Sequence, residues 1–270
     1  MKLGIGTYCY MWSIGFPGVA PQNPMSALDL LAQAREFDLH VVQYGPNLSL
    51  GSLPEPHLNE LLARAKEWDI ELEVGTRGLG PEHLRQQLAL AERVGSKILR
   101  TIPELEGGNT PNAEELRASL QAILPDLASA RIKLAMENGK MPAALLDEVI
   151  RSLSSLWVGI TLDTVNSLAI PEGTEQVVKM LAPHTVCLHI KEFVVKRAWH
   201  MMGFVVEGKP GGQGQLNIPW LLDVLHVAGA SGNAILELWP PEQKTLENTI
   251  ALERAWVVES IPYLRRLIPN

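Results

Sequence analysis

Lys133-Leu-Ala-Met-Glu137-Asn138, Gly159-Ile-Thr-Leu-Asp163-Thr164, Val186-Cys-Leu-His189-Ile-Lys191 and Ala234-Ile-Leu-Glu237-Leu-Trp239 share one pattern: a short apolar run reaches an acidic or imidazole side chain. Such a group is costly to bury unless it is paired or bound to a metal. Taken singly, each is explained equally well by an isolated ion pair or by a strand end that reaches solvent. Four at the same place in a repeating unit read as the ligand set of a divalent metal, because three carboxylates held together without a cation would repel one another. Glu137, Asp163 and His189 are spaced 26 residues apart, one βα unit each. Glu237 follows 48 residues after His189, one unit plus a long connection.

The same alternation extends over the whole chain. Strand-like apolar runs fall near residues 2–7, 40–44, 70–75, 97–101, 132–137, 158–163, 185–190 and 233–238. Segments of helical periodicity lie between them, among them Ala27–Phe37, Pro56–Trp68, Pro81–Val94 and Ala113–Ser129. Buried strands alternating with helices pair in parallel, and eight units predict closure into a (β/α)8 TIM barrel, one α/β domain over residues 1–270. Local signals agree: Ser26 is placed to cap one helix, Asn112 with Glu115 another, Pro81 opens a third and Gly95 ends it. Glu192 to Pro219 reads as the longest irregular stretch, a lid or substrate loop.

In such a barrel the site lies at the C-terminal strand ends, where neighbouring strands are about 4.8 Å apart. Glu137, Asp163, His189 and Glu237 can therefore converge on one ion. Three carboxylates and an imidazole without thiolate suit Mn²⁺, Mg²⁺, Co²⁺ or Zn²⁺. Lys191 shares strand parity with His189, so it points inward, either to a substrate carboxylate, phosphate, hydroxyl or carbonyl, or to a salt bridge with Asp163 or Glu137. Arg100 ends another strand and faces the same mouth or pairs with Glu73. Tyr8, Trp12 and Trp239 offer an apolar wall, although aromatics beside strands are more often core. His200 on the long loop is a substrate contact or simply a surface histidine.

Composition excludes other classes. The net charge is −7, which argues against a nucleic-acid backbone as partner. Two cysteines, Cys9 and Cys187, imply no disulfide framework. The N-terminus lacks a signal-peptide core and no segment has the length of a membrane span. A cytoplasmic protein is expected.

Met136-Glu137-Asn138, Leu162-Asp163-Thr164-Val165-Asn166, His189-Ile190-Lys191-Glu192 and Gly212-Gln213-Gly214 resemble the strand ends and turn of the xylose isomerase-like barrel superfamily. The resemblance implies a sugar isomerase or epimerase, with Mn²⁺ the leading cofactor. The ion would stabilise an enediolate from a ketose or keto sugar, and Glu137 and Glu237 would exchange the carbon-bound proton, assisted by Lys191. Tyr8, Arg100, His200 and Trp239 are expected substrate contacts from their own positions, and Asn166 and Arg197 from their place relative to the family's pattern; the resemblance also implies a small sugar or sugar acid as partner and a homodimer or homotetramer.

Departures from the pattern matter. Asn166 stands where many ketose epimerases of the group have histidine, and the nearest arginine after His189 is Arg197, eight residues on. A lyase that decarboxylates or dehydrates a keto sugar acid is therefore the rival, with Lys191, Arg100 or Arg197 holding the acid group. Abasic-site nucleases resemble the chain at Glu137, Asp163 and Glu237, but the histidine they need after Asp163 is missing. The intact ligand set argues against a silent sugar-binding protein.

Overall fold

In the computed structural model, which describes residues 1–269, eight parallel strands close into a barrel. They are β1 (Leu3–Gly6), β2 (Val41–Tyr44), β3 (Glu71–Arg77), β4 (Ile98–Ile102), β5 (Lys133–Glu137), β6 (Val158–Asp163), β7 (Thr185–Ile190) and, after the two strands β8 (Glu192–Arg197) and β9 (Phe204–Lys209), β10 (Asn233–Leu236). The order around the barrel is β1-β10-β7-β6-β5-β4-β3-β2, the right neighbour relations for a (β/α)8 TIM barrel. Helices lie between successive barrel strands. Their apolar stripes, for example Leu30, Leu31, Leu88, Leu120, Leu146 and Leu264, are fully buried or nearly so in the main core.

Local chemistry sets the helix ends. Ser26 and Asn112 each form a complete capping box, with Asp29 and Glu115 respectively. Pro81 is the first residue of its helix, and Gly95 ends it in the left-handed region at φ +74°. The helix expected at Pro56–Trp68 spans Glu55–Glu67, and the one expected at Ala113–Ser129 spans Ala113–Ala130. These are ordinary end effects.

Strand alternation sends Val41, Ile98, Ala135, Cys187 and Ile235 into a thin apolar layer within the barrel. Gly4 and Gly159 keep the lumen narrow, since a Cβ on either would collide with Val41 or Val186 on the next strand. The layer is too small to fill the lumen. Gln43, Glu73 and Arg100, all 3% exposed or less, share it.

The stretch expected to be irregular, Glu192 to Pro219, instead contains an antiparallel hairpin, with Phe193 opposite Gly208 and Arg197 opposite Phe204. The overlooked signal is a repeated Phe-Val-Val, at 193–195 and 204–206, which has the β-branched composition of paired strands. The buried Glu192 carboxylate anchors its base by accepting N–H groups of Phe193, Gly212 and Leu216. Gly214 has to be glycine because a Cβ there would strike that carboxylate. Pro219 belongs to the next helix, Ile218–Val227, capped by Asn217.

The last helix, Leu246–Leu267, is tied to the short helix Met11–Ile14 by Glu253. Its buried carboxylate accepts Trp12 N–H at 2.8 Å, Ser13 N–H at 3.0 Å and the Ser13 hydroxyl at 2.7 Å. Burial outweighs these donors and raises the Glu253 pKa to about 7. A carboxyl raised by folding contributes stability below its unfolded value and loses it as pH rises through the folded one. We therefore expect the wild-type protein to lose unfolding free energy between about pH 4.5 and 7 relative to Glu253→Gln. Urea unfolding across that window checks this, and parallel profiles for the two proteins would contradict it.

Candidate metal centre

Glu137 and Asp163 are the last residues of β5 and β6, His189 is the penultimate residue of β7, and Glu237 lies one residue beyond β10. All four are 2% exposed or less. The His189 Nδ1 atom is 3.5 Å from Glu137 Oε2, 4.0 Å from Asp163 Oδ2 and 3.3 Å from Glu237 Oε1. Ligand atoms of Glu137, Asp163 and His189 fall within 4.8 Å of one another. Glu237 completes the ring through its contact with His189.

Each side chain is oriented from behind. Asp163 Oδ1 accepts the N–H groups of Val165 and Asn166, both at 2.8 Å, which leaves Oδ2 facing the centre. Asn138 accepts the Asp163 N–H at 2.6 Å and donates to its carbonyl at 3.0 Å. Asn166 donates to Glu137 Oε1 at 2.5 Å, and Arg100 is paired with Glu137 Oε2. Gly139, at φ +116°, lets Asn166 come this close, since any Cβ there would overlap the Asn166 side chain.

Lys191 Nζ lies 2.8 Å from both Asp163 Oδ2 and Glu237 Oε2. Of the two readings of this residue, the structure contains the ion pair with Asp163, while Glu237 takes the place expected of Glu137. The Lys191 side chain also lines the open cleft, so the ion pair leaves it available to a ligand. Arg100 pairs with Glu137 rather than with Glu73, because the Glu73 carboxylate is taken by the amides of Gln43 and Asn233.

The residues present fit a divalent cation. His189 Nδ1 is buried with no hydrogen-bond partner, and Asp163 Oδ2 and Glu237 Oε2 share a single ammonium, Lys191 Nζ at 2.8 Å from each, so acceptor capacity on all three atoms is left unfilled. Unsatisfied buried acceptors turned toward one point need a positive charge. Carboxylate oxygens with one imidazole are the donor set of Mg²⁺, Mn²⁺, Zn²⁺ or Co²⁺. Electrostatics agree. Burial opposes the charge on Glu237, yet His189, Lys191 and Arg100 hold its pKa well below the usual carboxylate range. Burial likewise opposes the Lys191 charge, and Asp163, Glu237 and Glu137 overcome it to keep the ammonium protonated.

Above the ligands opens a cleft of ≈ 510 Å³. Its floor is polar, with Glu137, Asn138, Asn166 and Lys191. Its wall is apolar, built by Ile102, Val165, Leu168, Ala169, Val206 and Trp239. Tyr8 lies lower, with its ring centroid 5.9 Å from the Arg100 guanidinium, and burial raises its pKa. Trp12 stacks edge-on against Phe16 instead of on the cleft. Arg197 and His200 are not brought to the site. Both are exposed on the hairpin, Arg197 over the Phe204 ring and His200 beside Trp199. The hairpin turns its outer half into solvent, and only Val206 of its two strands lines the cleft. Lys140, on the rim and 3.2 Å from Glu104, was not foreseen from sequence, and neither were Gln43 and Glu73 beneath His189. The signal for the latter two was a polar residue at alternate positions of otherwise apolar strands.

The model of the xylose isomerase-like TIM barrel family matches residues 12–259, and the chain belongs to that family. It is 30% identical over 265 residues to the 3-oxo-isoapionate decarboxylase of Pectobacterium atrosepticum, an alignment spanning 98% of this chain and 95% of the other. A xylose isomerase-like TIM barrel protein from Mycobacterium smegmatis, solved with magnesium, superposes with a TM-score of 0.69 at 12% identity and 97% coverage of each chain. D-psicose 3-epimerase from Clostridium cellulolyticum H10, solved with D-tagatose, gives 0.71 at 13% identity over the full length of both. At such identities these two structures speak for the fold. No described helix is long and apolar enough to cross a membrane.

A functional metal centre has a direct signature. Isothermal titration of the chelator-treated protein with Mn²⁺ should give one site, and His189→Ala or Asp163→Asn should weaken it at least about 100-fold, since each removes one of few ligands. Unchanged affinity in both variants would rule out this site.

Proposed function

We propose that the protein is a metal-dependent decarboxylase of a keto sugar acid. The observation that carries this is the pair of cations, buried Arg100 and half-buried Lys191, set directly against the three candidate ligand carboxylates. Three negative charges and two positive ones leave the floor one charge short of neutral. A divalent ion held by Glu137, Asp163, His189 and Glu237 would make it net positive, which complements an anionic substrate rather than a neutral ketose. The whole-length similarity to a decarboxylase supports the same reading.

Hydrogen bonding also favours bond cleavage over proton abstraction. An epimerase needs carboxylates free to take and return a carbon-bound proton. Here Arg100 and Asn166 occupy both oxygens of Glu137, and Lys191 engages Glu237. Loss of CO₂ requires no base. The bond to the carboxylate carbon breaks, its electron pair moves to the keto group, CO₂ departs and one proton is added at carbon. The bound cation supplies fixed positive charge for the enolate that develops. Lys191, kept protonated by its neighbours, donates an N–H to the developing oxyanion and is the nearest proton source. The apolar wall of Ile102, Leu168, Val206 and Trp239 favours conversion of the charged carboxylate into neutral CO₂.

The test is incubation of the Mn²⁺-loaded protein with 3-oxo sugar acids, following CO₂ release and product mass. We expect release, and a Lys191→Met protein with kcat lowered about 10²–10³-fold and metal binding retained, the usual cost of one oxyanion donor. Interconversion of ketose epimers at unchanged mass, with no CO₂ from any acid, would overturn the proposal in favour of proton transfer by Glu137 and Glu237.

A further inference from the structure

A column of buried polar side chains runs down the barrel lumen behind the ligands. His189 Nε2 lies 2.8 Å from Gln43 Oε1. Gln43 Nε2 donates to Glu73 Oε2 at 2.9 Å, and Asn233 Nδ2 donates to Glu73 Oε1 at 2.8 Å. Gln43 and Glu73 sit opposite each other in the β2–β3 register, and with His189 they are 3% exposed or less.

With Glu73 ionised, the hydrogen bonds of this column favour one polarity. An amide has one donor end and one acceptor end. With the donor end of Gln43 on the Glu73 carboxylate, its oxygen faces the imidazole. His189 Nε2 then carries the hydrogen, and in the neutral imidazole that ligation requires the Nδ1 lone pair faces Glu137, Asp163 and Glu237. Turning the Gln43 amide over would set its oxygen against the Glu73 carboxylate, two acceptors in a buried place, which is costly. Asn233 occupies the other carboxylate oxygen and holds Glu73 in position from the opposite side of the lumen.

We infer that Gln43 is a positioning residue for the metal centre. It fixes the His189 tautomer and ring orientation needed for ligation through Nδ1, and Glu73 fixes the orientation of Gln43. The inference rests on His189 being a metal ligand and does not depend on which reaction follows. Outer-shell partners of ligating histidines act in this way, and their loss costs about 10–100-fold in affinity.

The test has two readouts. ¹⁵N NMR of the metal-free protein reports the imidazole tautomer, and titration with Mn²⁺ reports affinity. Wild type should show His189 protonated at Nε2. Gln43→Leu should lose that preference and bind Mn²⁺ about 10–100-fold more weakly. Glu73→Gln, close to isosteric and able to accept as well as donate, should let the Gln43 amide turn and raise the population protonated at Nδ1; a merely structural role would leave that ratio unmoved. A wild-type imidazole protonated at Nδ1, or wild-type affinity in Gln43→Leu, would overturn the inference. A wild-type protein that binds no metal would remove this role together with the metal centre. Absent CO₂ release with intact affinities would touch only the decarboxylase reading.

Discussion

Three carboxylates are buried around one imidazole at the mouth of the barrel, and most of the surrounding structure serves to make that tolerable. Like charges in a low-dielectric interior repel strongly. Arg100 and Lys191 offset part of the repulsion from within the same shell. Oriented amides and backbone N–H groups offset more, through Asn138, Asn166 and the turn after Asp163. What remains is the His189 Nδ1 atom with no partner and two carboxylate oxygens that share one ammonium. The protein folds around a demand for positive charge, which a divalent ion would meet.

The barrel makes this possible because parallel strands deliver side chains from distant parts of the sequence to one level. Glu137, Asp163, His189 and Glu237 would be scattered along an extended chain. Closed pairing from β5 through β10 places them at adjacent strand ends. The lumen below holds only a thin apolar layer, and Gln43 and Glu73 share it and lie beneath His189. The cleft above adds an apolar wall that the charged floor lacks. Charge and its exclusion thus meet at one surface.

The fold was legible because it rests on local regularities. Apolar runs at one-unit spacing, capping residues such as Ser26 and Asn112, and Gly95 as a helix terminator each report on a few neighbouring residues, and together they gave the eight βα units. The ligand quartet was legible for a related reason, since ionisable groups that finish apolar runs stand out. The hairpin was not recognised. Its repeated Phe-Val-Val lies among glycines and charges, and a strand pair outside the barrel carries no repeat to set it in register. The residues expected to contact substrate separated on similar grounds. Lys191, Asn166 and Trp239 sit on barrel strands or just after them, where parity or proximity predicts position. Arg197 and His200 sit on the hairpin, where nothing local indicates that the chain turns outward.

By itself the sequence determined the barrel, the order of its strands along the chain and the four side chains that gather at their ends, because hydrophobic periodicity and the cost of buried charge act at short range. Only the tertiary structure decided which charge answers which. Arg100 goes to Glu137 rather than Glu73, Lys191 bridges Asp163 and Glu237, and Gln43 reaches His189 across 146 residues of sequence. Pairing of this kind depends on distances that exist only once the barrel has closed.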